Sequence, residues 1–392
     1  MSGPLEGIRV LELARHLAGP FAAMTLGDLG ADVIKVEPPG RGDDTRRFPP
    51  YWNGESTYYL STNRNKRSIE VDIRSPEGQH VIRQLVGRSD ILIENFRPGT
   101  AERYGIGYDE LSRINPGLIY CAVSAFGQDG PDRDRAGVDL LMQAATGLMS
   151  ITGEEGRPPV RAGTSLIDLT AGSNAVQGIL AALYVREKTK RGQRVDVSLL
   201  GAGVSWLTYH VTAYFASGEV PERLGSNHAS VAPYGAYPTN DGYLVLAVAT
   251  DALWERLCRA IGAEYLLEDE RFTSNPDRTR HRNQLDELLE PIFARRSTDE
   301  WTRLLSQAGV PSGPVNTIDE VVTMPQVEHD SLVVSIPRDD IPDFRMAGPA
   351  ISLSDTRATV RRPPPKLGEH TAEVLRELGI ESSQAESVRG DD

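Results

Sequence analysis

Asp168 lies in GTSLIDLTAG, between apolar residues and a run of small ones. A carboxylate in that setting has two readings. As the cap of a helix beginning at Leu169, it accepts hydrogen bonds from first-turn amides that have no intrahelical partner. As a nucleophile, it is kept ionised by the positive end of the helix dipole, held in one orientation and able to attack a carbonyl carbon. The two are compatible, and the residue alone leaves both open.

Other reactive types are scattered more thinly. His16 follows Arg15 in a segment ARHLAGPF, His228 sits in a GSNHAS loop, and His370 precedes Thr371 at an apparent helix start in KLGEHTAEVL. A basic set, Arg41, Arg46, Arg47, Arg64, Lys66, Arg67, Arg97 and Arg103, falls in polar stretches with glycines nearby. Arg and Lys beside free backbone amides suit phosphate groups. A solvated basic surface is the plainer account of the same residues. No P-loop, HExxH, GxSxG or CxxC pattern occurs. Cys121 and Cys258 each sit in an apolar run, which predicts two buried thiols in a reducing compartment, with no disulfide framework and no metal spacing.

Short β-rich runs alternate with helical patterns over the first 200 residues or so. Ile8–Leu13 and Ala31–Val36 read as strands on either side of a helix over Ala18–Leu29, with Pro20 in its first turn. Arg67–Ile73, Asp90–Ile93, Gly117–Phe126 and Arg194–Leu199 are further strands; helices are expected from Ser75, over Val138–Met149 and over Leu169–Lys188. The strands are nearly continuous apolar runs, as in a parallel sheet covered on both faces. The fold class is therefore α/β, with a doubly wound, Rossmann-like parallel sheet. The first βα turn lacks GxGxxG, which argues against a hydride-transfer enzyme. Near residue 217 the texture changes to a hairpin around Asn240-Asp241-Gly242 and charged helices. Three pieces follow: 1–216 as the first part of a large domain, 217–332 as a small α+β domain, and 333–392 as a return to the large one. The terminal ESSQAESVRGDD is expected to fray.

The chain has 392 residues, 39% apolar and 25% charged, and a formal net charge of −13. That balance is globular, and its acidity disfavours nucleic acid and anionic membranes as partners. MSGPLEGIRVLEL has no signal-peptide pattern, and the apolar stretches fall short of the ~18 residues of a membrane span. A cytoplasmic location is expected.

Taken in order, PLEGIRVLELARHLAGPFAAMTLGDLGADVIKVEPPGRGDDTR, NKRSIEVDI, ENFRPGTAERYGIGYDEL, AFGQDGP, GVDLLMQAATGLMSITG, RAGTSLIDLTAG, GILAALYVREKTKRGQRVDVSL, APYGAYPTNDGYLVLA and PPPKLGEHTAEVL resemble the class III coenzyme A transferases. That group contains formyl-CoA transferase, crotonobetaine/carnitine CoA-transferase and α-methylacyl-CoA racemase. The resemblance implies a homodimer of two interlocked rings and a large domain built from both chain ends. It places the family's catalytic aspartate on Asp168. It implies an acyl-CoA:carboxylate CoA-transferase working through aspartyl anhydride and aspartyl-CoA thioester intermediates. Coenzyme A is then a substrate, and no permanently bound cofactor or metal is expected. By the same resemblance Arg15, His16, Leu17 and Ala18, the loop Asn95, Phe96 and Arg97, then Arg103 and Tyr104, and the pair Val138 and Asp139 contact CoA, with His16 and Leu17 at its thioester end.

Three departures shape the expectation. Leu17 stands where some of these transferases have glutamine. LGSNHASVAPYG is shorter than the glycine-rich lid of formyl-CoA transferase. Val138 occupies the position of the racemases' histidine, so one of the two acid/base groups needed for racemisation is absent, although Asp251 falls near those enzymes' additional acid. Racemisation of 2-methylacyl-CoA and non-catalytic CoA binding are the alternatives. The acids are not named by the sequence. Arg15, Arg46 and His228 suggest a second carboxylate, as in succinate.

Overall fold

The computed structural model describes residues 3–380. The stretch ESSQAESVRGDD, expected above to fray, lies outside the described residues. The chain forms two compact units. The first takes the residues up to Leu148, Ala162–Thr212 and the chain from Pro325 on; the second takes Met149–Arg161 and Ala213–Met324. The stretch 149–161, read from sequence with the first piece, thus lies in the second unit.

In the first unit β1 (Arg9–Glu12), β2 (Asp32–Glu37), β3 (Lys66–Glu70), β4 (Ile91–Glu94), β5 (Ile119–Ser124) and β6 (Arg194–Ser198) make one sheet in the order β3-β2-β1-β4-β5-β6. Every neighbouring pair is parallel, so each connection must cross over. The helices that do so include α1 (Ala18–Asp28), α2 (Pro76–Val86), α3 (Asp139–Ala145) and α4 (Leu166–Thr189). Helix α2 starts as its sequence dictates, with the Ser75 hydroxyl accepting the Gly78 amide at 3.0 Å and Pro76 in the first turn.

Successive strand residues face opposite sides. Val10, Val33, Ile91 and Ile93 enter one core with Ala22 and Leu26 of α1 and Ala171 and Ile179 of α4. Leu11, Ile34, Leu92 and Tyr120 enter the other with Val81 and Leu85 of α2 and with Val374 and Leu375. Two covered faces explain the unbroken apolar runs. The strand order reverses between β1 and β4, and ligands of such sheets bind outside the carboxyl ends of the strands at that switch.

Two helix boundaries differ from expectation. The helix predicted over Val138–Met149 stops at Ala145, because Gly147 takes a positive φ of 85°. The helix predicted from Leu169 begins three residues earlier, at Leu166. Helix α4 is also a longer apolar segment than credited above, long and apolar enough to cross a membrane. Its Ile167, Ala171, Ala175 and Ile179 are buried in the first core, as in a core helix of a folded domain.

The second unit carries the antiparallel strands β7 (Tyr234–Pro238), β8 (Tyr243–Ala247) and β9 (Ser312–Pro314). The expected turn at residues 240–242 joins β7 to β8. Helices α5 (Asp251–Ile261), α6 (Arg282–Phe293) and α7 (Thr298–Gln307) close a core around Trp254, Phe272, Phe293 and Trp301.

Candidate active site

The turn leaving β1 is fixed by its neighbours. The Leu13 amide donates to Ile93 O at 2.8 Å. Asn95, just past β4, brackets the next residue but one: Arg15 N donates to Asn95 Oδ1 at 2.9 Å, and Asn95 Nδ2 donates to Arg15 O at 2.7 Å. His16 N donates to Asp43 Oδ1 at 3.3 Å. His16 has φ of 69°, a left-handed conformation that costs a residue with a Cβ about 1–2 kcal/mol, so the surrounding bonds hold a strained turn in place. Leu17 stands at the cap of α1 and Ala18 opens it; both are buried.

Beneath the turn is a charge network in which Glu12, Lys35, Glu37, Asp43 and Lys66 are fully buried. Lys35 Nζ lies 3.0 Å from both Glu12 Oε1 and Asp43 Oδ2, Lys66 Nζ lies 2.8 Å from Glu12 Oε2, and Arg46 Nη2 lies 2.7 Å from Glu37 Oε2. Burial opposes ionisation of Asp43, yet Lys35 and the Thr45 amide hold its carboxyl well below the usual carboxylate range. Asp43 is thereby a fixed anion under His16. The same packing corrects the basic set. Arg46 and Lys66 belong to the network, Arg64 pairs with Asp28 at 2.6 Å, Arg67 pairs with Asp32, Glu373 and Glu377, and Arg47 pairs with Asp44 at 2.5 Å. All five are paired with carboxylates of the chain, Arg47 at the surface. Arg41, Arg97 and Arg103 are exposed.

At the carboxyl ends of β1 to β4 lies a cleft of about 510 Å³ whose lining includes Arg15, Arg41, Arg74, Phe96 and Tyr104. Three residues expected to contact CoA, Arg15, Phe96 and Tyr104, are brought together here, with Asn95 bonded behind them. The Arg103 guanidinium lies 5.3 Å from the Tyr104 ring. Arg74 was missed by sequence reasoning, which read its surroundings only as a helix start. Glu94, the last residue of β4, is buried and accepts the Phe96 amide at 2.7 Å; burial first, then Glu102, pushes its pKa up to about 8.

Asp168 is not the cap of its helix. It is the third residue of α4, and the cap position belongs to Ser165, whose side chain makes no capping bond. The capping carboxylate comes from Asp139, at the start of α3: its Oδ1 accepts the Ile167 amide at 2.9 Å and the Asp168 amide at 3.4 Å, and its Oδ2 accepts Gln143 Nε2 at 2.6 Å. Gln143 Oε1 in turn accepts the Ala162 amide at 2.9 Å, tying down the loop before α4. Relieved of capping, the half-buried Asp168 carboxyl has no hydrogen-bond partner among the described residues. Burial first, then the charge of Asp139, pushes its pKa up to about 7. Both causes act against the ionised state expected from the helix dipole. Val138, 61% exposed, offers no acid or base beside it.

A second cleft, of about 310 Å³, has Leu17, Phe21 and Met24 on one side and Tyr58, Ser165 and Leu169 among its other lining residues. Tyr58 was not anticipated, since a tyrosine in STYYLST carries no motif. Burial, then Asp168 and Asp139, raise the pKa of its hydroxyl, so it stays a neutral O–H donor.

The remaining candidates have structural partners. In the second unit His228 Nδ1 accepts the Ser230 amide at 3.1 Å, and Asp251 pairs with the buried Arg278 at 2.7 Å. In the first, the His370 amide donates to Ser68 O at 2.9 Å as its chain enters the last helix. Among the described residues no cluster of three or more His, Cys, Asp or Glu is arranged to hold a metal.

Comparison with known proteins places this geometry. The model of CoA-transferase family III matches residues 5–371. The chain is 41% identical over 376 residues to the succinyl-CoA:glutarate CoA-transferase of Mus musculus, covering 96% of this chain and 86% of that protein. It is 41% identical over 385 residues to the succinate–glutarate CoA-transferase of Agrobacterium fabrum, covering 96% of each. Among solved structures, a CAIB/BAIF family protein from Brucella suis matches with a TM-score of 0.87 and 38% identity, over 96% of this chain and all of that one.

Proposed function

The chain belongs to CoA-transferase family III and is an enzyme that transfers coenzyme A between acids, and on that premise we propose that Asp168 is its covalent nucleophile and that succinyl-CoA and a small dicarboxylic acid are its substrates. The observation that carries the nucleophile is the Asp168 carboxyl itself, free of hydrogen-bond partners among the described residues while Asp139 binds the amides around it. A carboxylate solvated by amides is a poor nucleophile; one left bare beside a cleft is a better one. The substrate class rests on the names of the two relatives.

The reaction proceeds in four displacements. An Asp168 oxygen attacks the thioester carbonyl, the C–S bond breaks, and a mixed anhydride and CoA thiolate result. The thiolate attacks the aspartyl carbonyl, releasing the donor acid and leaving an aspartyl-CoA thioester. The acceptor carboxylate attacks that thioester and expels the thiolate, forming a second anhydride. The thiolate then attacks the acceptor's acyl carbonyl, giving the new acyl-CoA and restoring the Asp168 carboxylate. Each intermediate conserves the thioester's activation. Tyr58, a neutral donor on the neighbouring cleft wall, and backbone amides stabilise the oxyanions.

The 510 Å³ cleft takes the nucleotide half of CoA, with Arg15, Arg41 and Arg74 toward its phosphates and Phe96 and Tyr104 as apolar walls. The protein works in the cytoplasm as a homodimer of interlocked chains. The outer face of α4 supports association, since Leu180, Tyr184 and Val185 are exposed there, Tyr184 by 64%.

Trapping tests the nucleophile. Succinyl-CoA with hydroxylamine or borohydride should modify Asp168, read by peptide mass, and Asp168→Ala should abolish exchange. Normal exchange in that variant overturns the mechanism.

A further inference from the structure

The cleft beside Asp168 is distinct in shape and chemistry from the one that suits a nucleotide. Its volume, about 310 Å³, is at the low end for a ligand site. One wall is a face of α1: Leu17, Phe21 and Met24 follow one another at helical spacing, which spans about 10 Å at 1.5 Å per residue. At one end Ser165 and Leu169 flank Asp168 along α4, and Tyr58 feels the Asp168 charge. The lining also includes Ser61, Thr62 and Arg64.

Arg64 is the informative member. It is buried, with Nε and Nη2 bonded to the Asp28 carboxylate at 2.9 and 2.6 Å and Nη1 bonded to Ala347 O at 2.7 Å. A guanidinium has five N–H donors. Those three bonds leave two N–H groups, one on each terminal nitrogen. The site therefore offers a short apolar groove beside the helix that carries Asp168, and it contains a buried guanidinium with two N–H groups left after its bonds to Asp28 and Ala347.

We infer that this cleft seats the remote part of the acid being transferred, its methylenes lying on Leu17, Phe21 and Met24 and its distal carboxylate reaching Arg64 and the Thr62 hydroxyl. The inference rests on Asp168 as the point of attachment. A second carboxylate, as in the succinate and glutarate of the relatives' names, answers those donors, and a monoacid leaves them unanswered. Unanswered donors discriminate far more strongly than a missing methylene.

The test is a panel of straight-chain diacids of two to six carbons, with monoacids of equal length, assayed as acceptors by mass spectrometry. The wild-type enzyme should prefer the four- and five-carbon diacids to the matching monoacids by at least about tenfold in kcat/KM. Arg64→Lys keeps a cation for Asp28 but loses the planar fork, and should erase that preference. Ser61 is exposed, so Ser61→Leu narrows the groove without loading the core; it should shift the optimum to shorter acids while inhibition by desulfo-CoA stays as in wild type. Exchange in the wild type without a diacid preference, or an unchanged length profile in Ser61→Leu, overturns the cleft assignment alone. Exchange that persists in Asp168→Ala overturns the attachment point with it.

Discussion

Asp139 Oδ1 lies 2.9 Å from the amide of Ile167 and 3.4 Å from that of Asp168, so one aspartate caps the helix that carries the other. The division of labour separates two properties that a single residue would combine. Asp139 takes the dipole and the amides. Asp168 is left with burial and a neighbouring negative charge, both of which raise its proton affinity.

That arrangement fixes a pH profile. As the proposed nucleophile Asp168 must be ionised, and burial pushes its pKa up to about 7. kcat/KM for acyl-CoA should therefore rise through neutral pH and level off above it, since this ratio reports the free enzyme. Asp139→Asn removes the repelling charge but keeps an oxygen for the cap. The midpoint should move to lower pH, by less than the full shift, because burial is the larger cause. Initial rates from about pH 5 to pH 9 check this.

The same shift makes Asp168 a liability for stability. Its folded pKa of about 7 lies above the ordinary 3.8. Between those values the unfolded chain gives up a proton that the folded chain keeps, so stability falls as pH rises through the window. Asp168→Asn cannot ionise. Its Tm should equal that of the wild type below about pH 4 and exceed it increasingly up to about pH 7, in thermal melts across that range. An equal Tm at both ends would show that the carboxyl is not desolvated.

The sheet was legible because its strands are continuous apolar runs joined by helices, a pattern with few physical solutions. The crevice was legible for the same reason: Arg15 and Asn95 follow the two strands between which the order reverses. The Asp139 cap was not. It joins residues 28 apart, and local pattern gives Asp168 the same score as a cap. Lys35 and Lys66 were also illegible. A lysine inside an apolar strand is buried only when Glu12 arrives from another strand to pair with it, and that partnership exists only in three dimensions. Tyr58 belongs to the site because its helix packs there, and its own sequence says nothing of it.

Asn95 is the residue that couples the two ends of the crevice. It both donates to and accepts from the Arg15 backbone. Asn95→Asp keeps the acceptor and replaces the donor with an oxygen facing Arg15 O. The loss should be about 1–3 kcal/mol, with KM for acyl-CoA rising more than KM for the acceptor acid. Chemical denaturation and steady-state kinetics measure the two effects separately.

Helix α4 reaches the β1 turn through a position with no room. A Cβ at Gly172 would sit 2.6 Å from Ala18 O and 2.9 Å from the Phe21 ring. Gly172→Ala must push α1 and α4 apart, at about 1–3 kcal/mol. The displacement also moves Asp168, one turn earlier on α4, relative to Leu17. kcat should fall more than the stability loss alone explains, at temperatures well below the variant's Tm.

Glu94 sets the pH at which the Asn95–Phe96 turn loosens. It is 4% exposed, and its pKa of about 8 against an ordinary 4.5 comes from burial first and Glu102 after it. The neutral carboxyl accepts the Phe96 amide at 2.7 Å and so aims the Asn95–Phe96 turn. Because the folded pKa is raised, its contribution to stability declines as pH climbs from 4.5 to about 8. Above that, an ionised Glu94 must draw water into the end of β4. Glu94→Gln retains the accepting oxygen and cannot ionise. In the wild type KM for acyl-CoA should climb above about pH 8; in Glu94→Gln it should stay flat while the low-pH KM matches the wild type. Equal KM curves for the two proteins would show that the loop is held without Glu94.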